Sequence, residues 1–178
     1  APCPRGLESV LAAELTRMGI SHRTGVGRTG VVGVIEGARP GPTLALRADM
    51  DALPVTEEGE LPFRSTATAQ FNGQTVGVMH ACGHDAHTAI QMGAATVLAG
   101  MRGQWRGRVL LVFQPAEEGP PEGEEGGAEL MLKEGLFDRY QPDAVIGLHL
   151  LSNLHSDTIG VRPGPIMAES DRFRIVVA

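Results

Sequence analysis

Cysteine is scarce in this chain: Cys3 and Cys82 are the only two in 178 residues. Two thiols make no disulfide framework, which excludes the small disulfide-stapled secreted folds and makes a reduced, cytoplasmic setting the expectation. Basic charge is also short, with 15 Lys and Arg against 21 Asp and Glu and a net charge of -6. No basic cluster and no arginine–aromatic interleaving occurs, so no nucleic-acid surface is expected. Long hydrophobic runs are absent too. The longest, such as Val109 to Phe113, are strand-sized, so no membrane-spanning segment is expected. Ala1 to Gly6 lacks the charged-then-apolar order of a secretory signal.

What is present suits a folded domain. With 42% hydrophobic and 20% charged residues, the chain can bury a sizeable core. Leu7, Val10-Leu11, Leu15 and Met18 recur on a helical period that stops at Gly19. Val31 to Ile35 and Thr43 to Ala48 read as strands separated by a turn over Gly37 to Pro42. The glycine-rich run Gly25 to Gly30 precedes a strand, the wrong order for a nucleotide loop, which follows a strand and opens a helix. Val55 to Val78 reads as a surface excursion with an Asn72-Gly73 hairpin turn. His22 and His155 fall in polar stretches and read as solvated.

Chemistry concentrates in Met79-His80-Ala81-Cys82-Gly83-His84-Asp85-Ala86-His87-Thr88. Cys82 and His84 are two apart, so in an extended segment both project to one side, and Gly83 adds no bulk between them. A thiolate with a neutral imidazole suits zinc, cobalt or nickel better than calcium or magnesium. A helix is expected from Ala86 to Met101, with Ala89-Ile90, Gly93-Ala94 and Val97-Leu98 on its apolar stripe. Asp85 is then a candidate cap for that helix and a candidate hydrogen-bond partner for a ligating histidine.

Three strand ends add polar groups. The Thr43 strand runs into Asp49-Met50-Asp51, two carboxylates two apart, which alone also fit a polar turn closed by Pro54. Arg108 to Gln114 is a near-continuous apolar strand, the mark of burial on both faces in a mostly parallel sheet. It leads into Glu117-Glu118, where adjacent carboxylates point apart, so one can bind metal while the other reaches a water or substrate. A solvated acidic loop is the alternative, since Glu122, Glu124 and Glu125 follow. Gly127 to Gly135 reads as a helix, and Asp143 to Leu148 as an apolar strand that delivers His149. Further strands are expected over Thr158 to Arg162 and Asp171 to Val177.

Taken in order, Arg47-Ala48-Asp49-Met50-Asp51-Ala52-Leu53-Pro54, Met79 to His87, Phe113-Gln114-Pro115-Ala116-Glu117-Glu118-Gly119 and Gly147-Leu148-His149 resemble the amidohydrolases of peptidase family M20. The similarity is to the subfamily of hippurate, N-acyl-amino-acid and indoleacetyl-amino-acid hydrolases. It implies an α/β, three-layer, zinc-peptidase-like catalytic domain interrupted by a smaller α+β lid that often mediates dimerisation. It further implies two divalent metal ions (zinc, manganese, cobalt or nickel), with Cys82, His84, Glu118 and His149 as ligands and Glu117 as general base. Asp51 and, more weakly, Asp49 would support the site. The substrate would be an N-acyl amino acid, cleaved to a carboxylic acid and an amino acid. On the same grounds residues 1–169 are assigned to the N-terminal part of the catalytic domain and 170–178 to the first strand of the lid, so the chain is expected to be a fragment. Two other readings stay open: a thiol enzyme with Cys82 as nucleophile and His80, His84 or His87 as base, and a non-catalytic metal- or partner-binding domain.

Overall fold

Gly30–Glu36 (β2) and Arg108–Gln114 (β6) lie side by side at the centre of the computed structural model, which describes residues 5–120, 123–167 and 175. Their antiparallel register sets Val31 opposite Phe113 and Ile35 opposite Val109. Every residue of β6 from Val109 to Gln114 is buried, as its unbroken apolar run implies. Thr43–Asp49 (β3) runs parallel to β6, with Asp49 opposite Gln114, and Ala144–Gly147 (β7) runs parallel to β3. Ser21–Val26 (β1) pairs antiparallel with β2, which completes a sheet of order β1-β2-β6-β3-β7.

The sheet is therefore mixed, two antiparallel and two parallel pairings, where a mostly parallel one was expected. Connection length explains it. A short turn through Gly27 and Arg28, both at positive φ, can only return the chain antiparallel, whereas β3 reaches β6 by way of a long helix. No sequence pattern marks β1, a polar edge strand with mostly exposed side chains. His22 sits within it, half-buried and 3.1 Å from the Ile20 carbonyl, while His155 lies exposed in a turn.

Side chains alternate across β6 and feed two cores. Val109, Leu111 and Phe113 pack with Leu11 and Leu15 of Arg5–Arg17 (α1) and Ala95 of His84–Gly100 (α2). Leu110 and Val112 pack on the other face with Met131 of Gly127–Lys133 (α3) and Leu136 of Leu136–Tyr140 (α4). Three layers result, as expected. Burying a side chain such as Phe113, 0% exposed, contributes about 1.5–3 kcal/mol. The short helix α4 gave no readable period in sequence, and Gly135 at φ 79 separates it from α3.

The excursion after β3 carries the hairpin expected at Asn72-Gly73, with strands Thr68–Phe71 (β4) and Gln74–Gly77 (β5). At the far edge the apolar strand expected over Asp143 to Leu148 forms but is not buried. β7 is exposed along its whole length, with Val145 52% and Ile146 54% exposed. Thr158 to Arg162 forms no strand, because no described strand lies beside it; Ile159 and Val161 are 91% and 85% exposed. The strand expected over Asp171 to Val177, and the lid assigned to 170–178, fall outside the described residues apart from Ile175. Among the described residues no helix is long and apolar enough to cross a membrane.

Candidate metal centre

Strands β3, β6 and β7 run parallel, so their carboxyl ends gather at one edge of the sheet, where α/β proteins build their sites. Past β3, Leu53 exchanges backbone hydrogen bonds with Met79 at 2.9 and 3.1 Å, which draws the Cys-His stretch alongside Asp51. That stretch is not extended as expected. Gly83 adopts φ 82 and turns the chain straight into α2, so His84 opens the helix two residues early. Asp85 does not cap it: the cap residue is Gly83, no side chain caps that end, and Asp85 is exposed in the first turn. Asp85 lines a separate cleft with His80, Glu57 and Phe63.

The fully buried residues of α2 are His84, His87, Thr88, Gln91 and Ala95, and from the apolar stripe expected from the sequence Leu98 packs half-buried against the core. Ile90 and Val97 of that stripe are 43% and 59% exposed. Burying four polar side chains costs stability unless they find partners. They do. Thr88 Oγ1 donates to the Asp49 carbonyl at 3.2 Å, and Gln91 Nε2 to the Val112 carbonyl at 3.0 Å. His87 Nδ1 lies 2.6 Å from Asp49 Oδ1.

His84 Nδ1 is 3.1 Å from both the carbonyl and Oδ1 of Asp51. Both partners only accept, so in the neutral ring the proton is on Nδ1 and Nε2 keeps its lone pair. Nε2 is buried with no hydrogen-bond partner among the described residues, 3.6 Å from Asp49 Oδ1, 3.6 Å from Glu118 Oε1 and 3.9 Å from Glu117 Oε2. The other oxygen of Asp51 accepts the Glu118 backbone N–H at 3.0 Å. Cys82 Sγ and His149 Nε2 stand 3.4 Å apart beside His84. Three overlapping groups could hold a metal ion, namely Cys82-His84-His149, Asp49-His84-His87 and His84-Glu117-Glu118. A buried bare lone pair amid sulfur and carboxylate ligands fits a borderline divalent ion.

Electrostatics agree with a cation site. Burial raises the Cys82 thiol, as do Glu118, Glu117 and Asp49, and it is pushed up to about 11. Burial and the neighbouring Glu118 charge hold Glu117 above the usual carboxylate range against Arg47. Burial also favours the neutral forms of Asp51 and His84, yet their mutual hydrogen bond and adjacent charges outweigh it, lowering Asp51 and raising His84.

The glutamate pair is delivered by a strained turn, with Ala116 at φ 48. Gly127 N–H closes that turn on the Ala116 carbonyl at 3.1 Å. Its side chain 41% exposed, Glu117 faces the opening, while Glu118, at 19%, lies deeper. Cys82, His84, Glu117, Glu118, His149, Asp49 and Asp51 thus converge, and Asp85 stands apart. Sequence reasoning offered His87 only as the base of a thiol enzyme and passed over Arg47. Their signals were spacing: His87 is one helical turn from His84, and Arg47 is two before Asp49 on a strand. Arg47 donates to Asp49 Oδ2 at 2.7 Å and to Gln114 Oε1 at 2.8 Å.

Three layers about a mixed sheet, with sulfur, imidazole and carboxylate groups gathered at its parallel strand ends, define an α/β scaffold of the metallopeptidase kind. The chain belongs to peptidase family M20/M25/M40, whose model matches residues 45–176. A second model, an RlmL ferredoxin-like domain, matches residues 1–38, but β1 and β2 of that stretch are hydrogen-bonded into the same five-stranded sheet. Thermostable carboxypeptidase 1 of Saccharolobus solfataricus is 44% identical over 94% of this chain and 40% of its own length. The N-acyl-L-amino acid amidohydrolase of Geobacillus stearothermophilus is 45% identical over 83% of this chain and 36% of its own. A crystal structure of a dinuclear metal-binding peptidase of the M20 family from Bacillus subtilis superposes with a TM-score of 0.77 at 37% identity, over 90% of this chain and 41% of that one. The chain therefore spans about 40% of the length of the relatives it matches.

Proposed function

We propose that this chain carries the metal-binding half of an amidohydrolase that cleaves the amide bond of N-acyl amino acids, releasing a carboxylic acid and an amino acid. The observation that carries the reading is His84 Nε2, buried without a hydrogen-bond partner among the described residues and ringed by the groups that would share a cation with it. Cys82, His84, Glu118 and His149 would hold two divalent ions, drawn from zinc, manganese, cobalt and nickel. The name of the Geobacillus relative supports the substrate class, and that of the Bacillus subtilis structure supports two metals.

Bound divalent ions supply a Lewis acid and acidify water. Glu117, the more exposed of the pair and held above the usual carboxylate range by burial and by Glu118, would take a proton from a water in the site. The same carboxyl would then return the proton to the leaving nitrogen. Asp51 keeps His84 in the tautomer that aims Nε2 inward and fixes the backbone of Glu118. We extend the reading to chain organisation, with 1–169 as part of the catalytic domain and 170–178 as the first strand of a lid that would mediate dimerisation.

A thiol nucleophile is the weaker reading. Nucleophilic cysteines have lowered pKa values, and burial together with acidic surroundings holds Cys82 high. The test is elemental analysis of wild type and Cys82→Ser, with hydrolysis of an N-acyl amino acid panel with and without chelator. Chelator-sensitive release of amino acid, and metal content that falls in the variant, is the expected result. Chelator-resistant turnover abolished by alkylation would overturn it in favour of the thiol.

A further inference from the structure

Leu150, the residue after His149, is gripped by imidazoles at both backbone groups. Its N–H donates to His87 Nε2 at 2.9 Å, and its carbonyl accepts from His149 Nδ1 at 2.7 Å. A carbonyl only accepts, so the His149 proton is on Nδ1 and the lone pair of Nε2 faces Cys82 Sγ, 3.4 Å away. By the same logic the nitrogen that receives the Leu150 N–H bears no proton. His87 is therefore protonated on Nδ1, the less common tautomer of imidazole in water, and donates to Asp49 Oδ1 at 2.6 Å. Asp49 is fixed in turn by Arg47, and Arg47 by Gln114.

The need for such a grip follows from where His149 stands. It follows β7, an exposed edge strand whose packing does little to fix what comes after it. By contrast His87 is 1% exposed on a helix anchored to the sheet, and its ring meets His149 edge-on at 4.7 Å and stacks on His84 at 5.3 Å. An apolar side chain would fill that buried position as well; an imidazole there uses both nitrogens.

We propose that His87 is a positioning residue for the metal centre: through the Leu150 peptide it sets the tautomer and direction of His149, and so brings His149 Nε2 to the cation shared with Cys82. Arg47 and Asp49 hold His87 in the orientation this requires. The proposal rests on the metal-centre reading above, and outer partners of this kind typically change metal affinity 10–100-fold.

The experiment compares wild type, His87→Leu, His87→Gln and Cys82→Ser with Co²⁺ as the probe. Cobalt affinity and the thiolate-to-cobalt absorption band report the centre, and hydrogen exchange of the Leu150 amide in metal-free protein reports the contact itself. In His87→Leu the Leu150 amide should lose protection and Co²⁺ affinity should fall roughly 10–100-fold with a weakened thiolate band. His87→Gln, whose side-chain oxygen and amide hydrogens can replace the two ring nitrogens, should recover most of both. Wild-type affinity and spectrum in a folded His87→Leu would overturn the proposal, as would a His87→Gln variant as impaired as His87→Leu. Should His87→Leu not fold, the imidazole ¹⁵N spectrum of metal-free wild type decides: a proton on Nδ1 of His87 supports the proposal and one on Nε2 overturns it. Cys82→Ser binding Co²⁺ like wild type removes the metal-centre reading, an outcome separate from the Leu150 result.

Discussion

The backbone N–H of Glu118 donates to Oδ2 of Asp51 at 3.0 Å, across 67 residues of sequence. Oδ1 of the same carboxylate holds His84 Nδ1 at 3.1 Å, so one side chain fixes two candidate ligands from different elements. Asp51→Ala should weaken divalent-metal binding roughly 10–100-fold with the far-UV spectrum unchanged. Competition against a chromophoric chelator measures it. Wild-type affinity would remove Asp51 from the site.

Asp51 also predicts a pH dependence for the metal-free protein. Its folded pKa lies below the ordinary carboxylate value, because the His84 and Glu118 hydrogen bonds outweigh burial. The stability it contributes is fully present above that ordinary value and is lost as pH falls through the depressed one. Wild type should thus melt above Asp51→Asn at neutral pH, and the two melting curves should converge on acidification. A constant gap down to the lowest pH at which both fold would show that the side chain contributes by packing.

Glu117→Gln keeps the shape of the side chain and removes its basicity. In a form of the protein that turns over N-acyl amino acids, kcat should fall about 10²–10⁴-fold while metal content stays as in wild type. Steady-state assays beside elemental analysis separate the two. A drop in metal content equal to the drop in rate would make Glu117 a ligand instead.

The thiol of Cys82, held up to about 11, should alkylate slowly in metal-free protein. Against an ordinary thiol of pKa about 8.5, its thiolate fraction at pH 8 is roughly 10² lower. Iodoacetamide labelling of Cys82, timed by mass spectrometry against the urea-unfolded chain, gives the ratio. Faster labelling in the folded state would return the thiol mechanism to contention.

Gly127 ties helix packing to the glutamate pair. A Cβ there would lie 1.7 Å from the Pro115 carbonyl oxygen, so either α3 or the turn before Glu117 must move. Gly127→Ala should cost about 1–3 kcal/mol by denaturant titration and weaken metal binding as well. Loss of stability with unchanged metal affinity would show that the helix gives way and the turn does not.

Much of the centre was legible before any fold was known. Cys82, His84, Glu117, Glu118 and His149 are chemically conspicuous residue types placed at strand ends or beside a glycine, and β2, β3 and β6 announce themselves by short, mainly apolar runs. These are local properties, set by side-chain chemistry and by the apolar runs that burial on both faces of a sheet demands. What tertiary structure alone decided is which groups meet. The rotation of α2 hides its apolar Ile90 and Val97 from the core and buries His87, because polar partners on β3 and β6 offset the cost of burying an imidazole and an amide. Asp85 does not cap α2 because Gly83, not a side chain, turns the helix start. Leu150 meets His87 across 63 residues, Arg47 adds to its local bond with Asp49 one to Gln114 across 67, and no local pattern encodes the convergence of parallel strand ends.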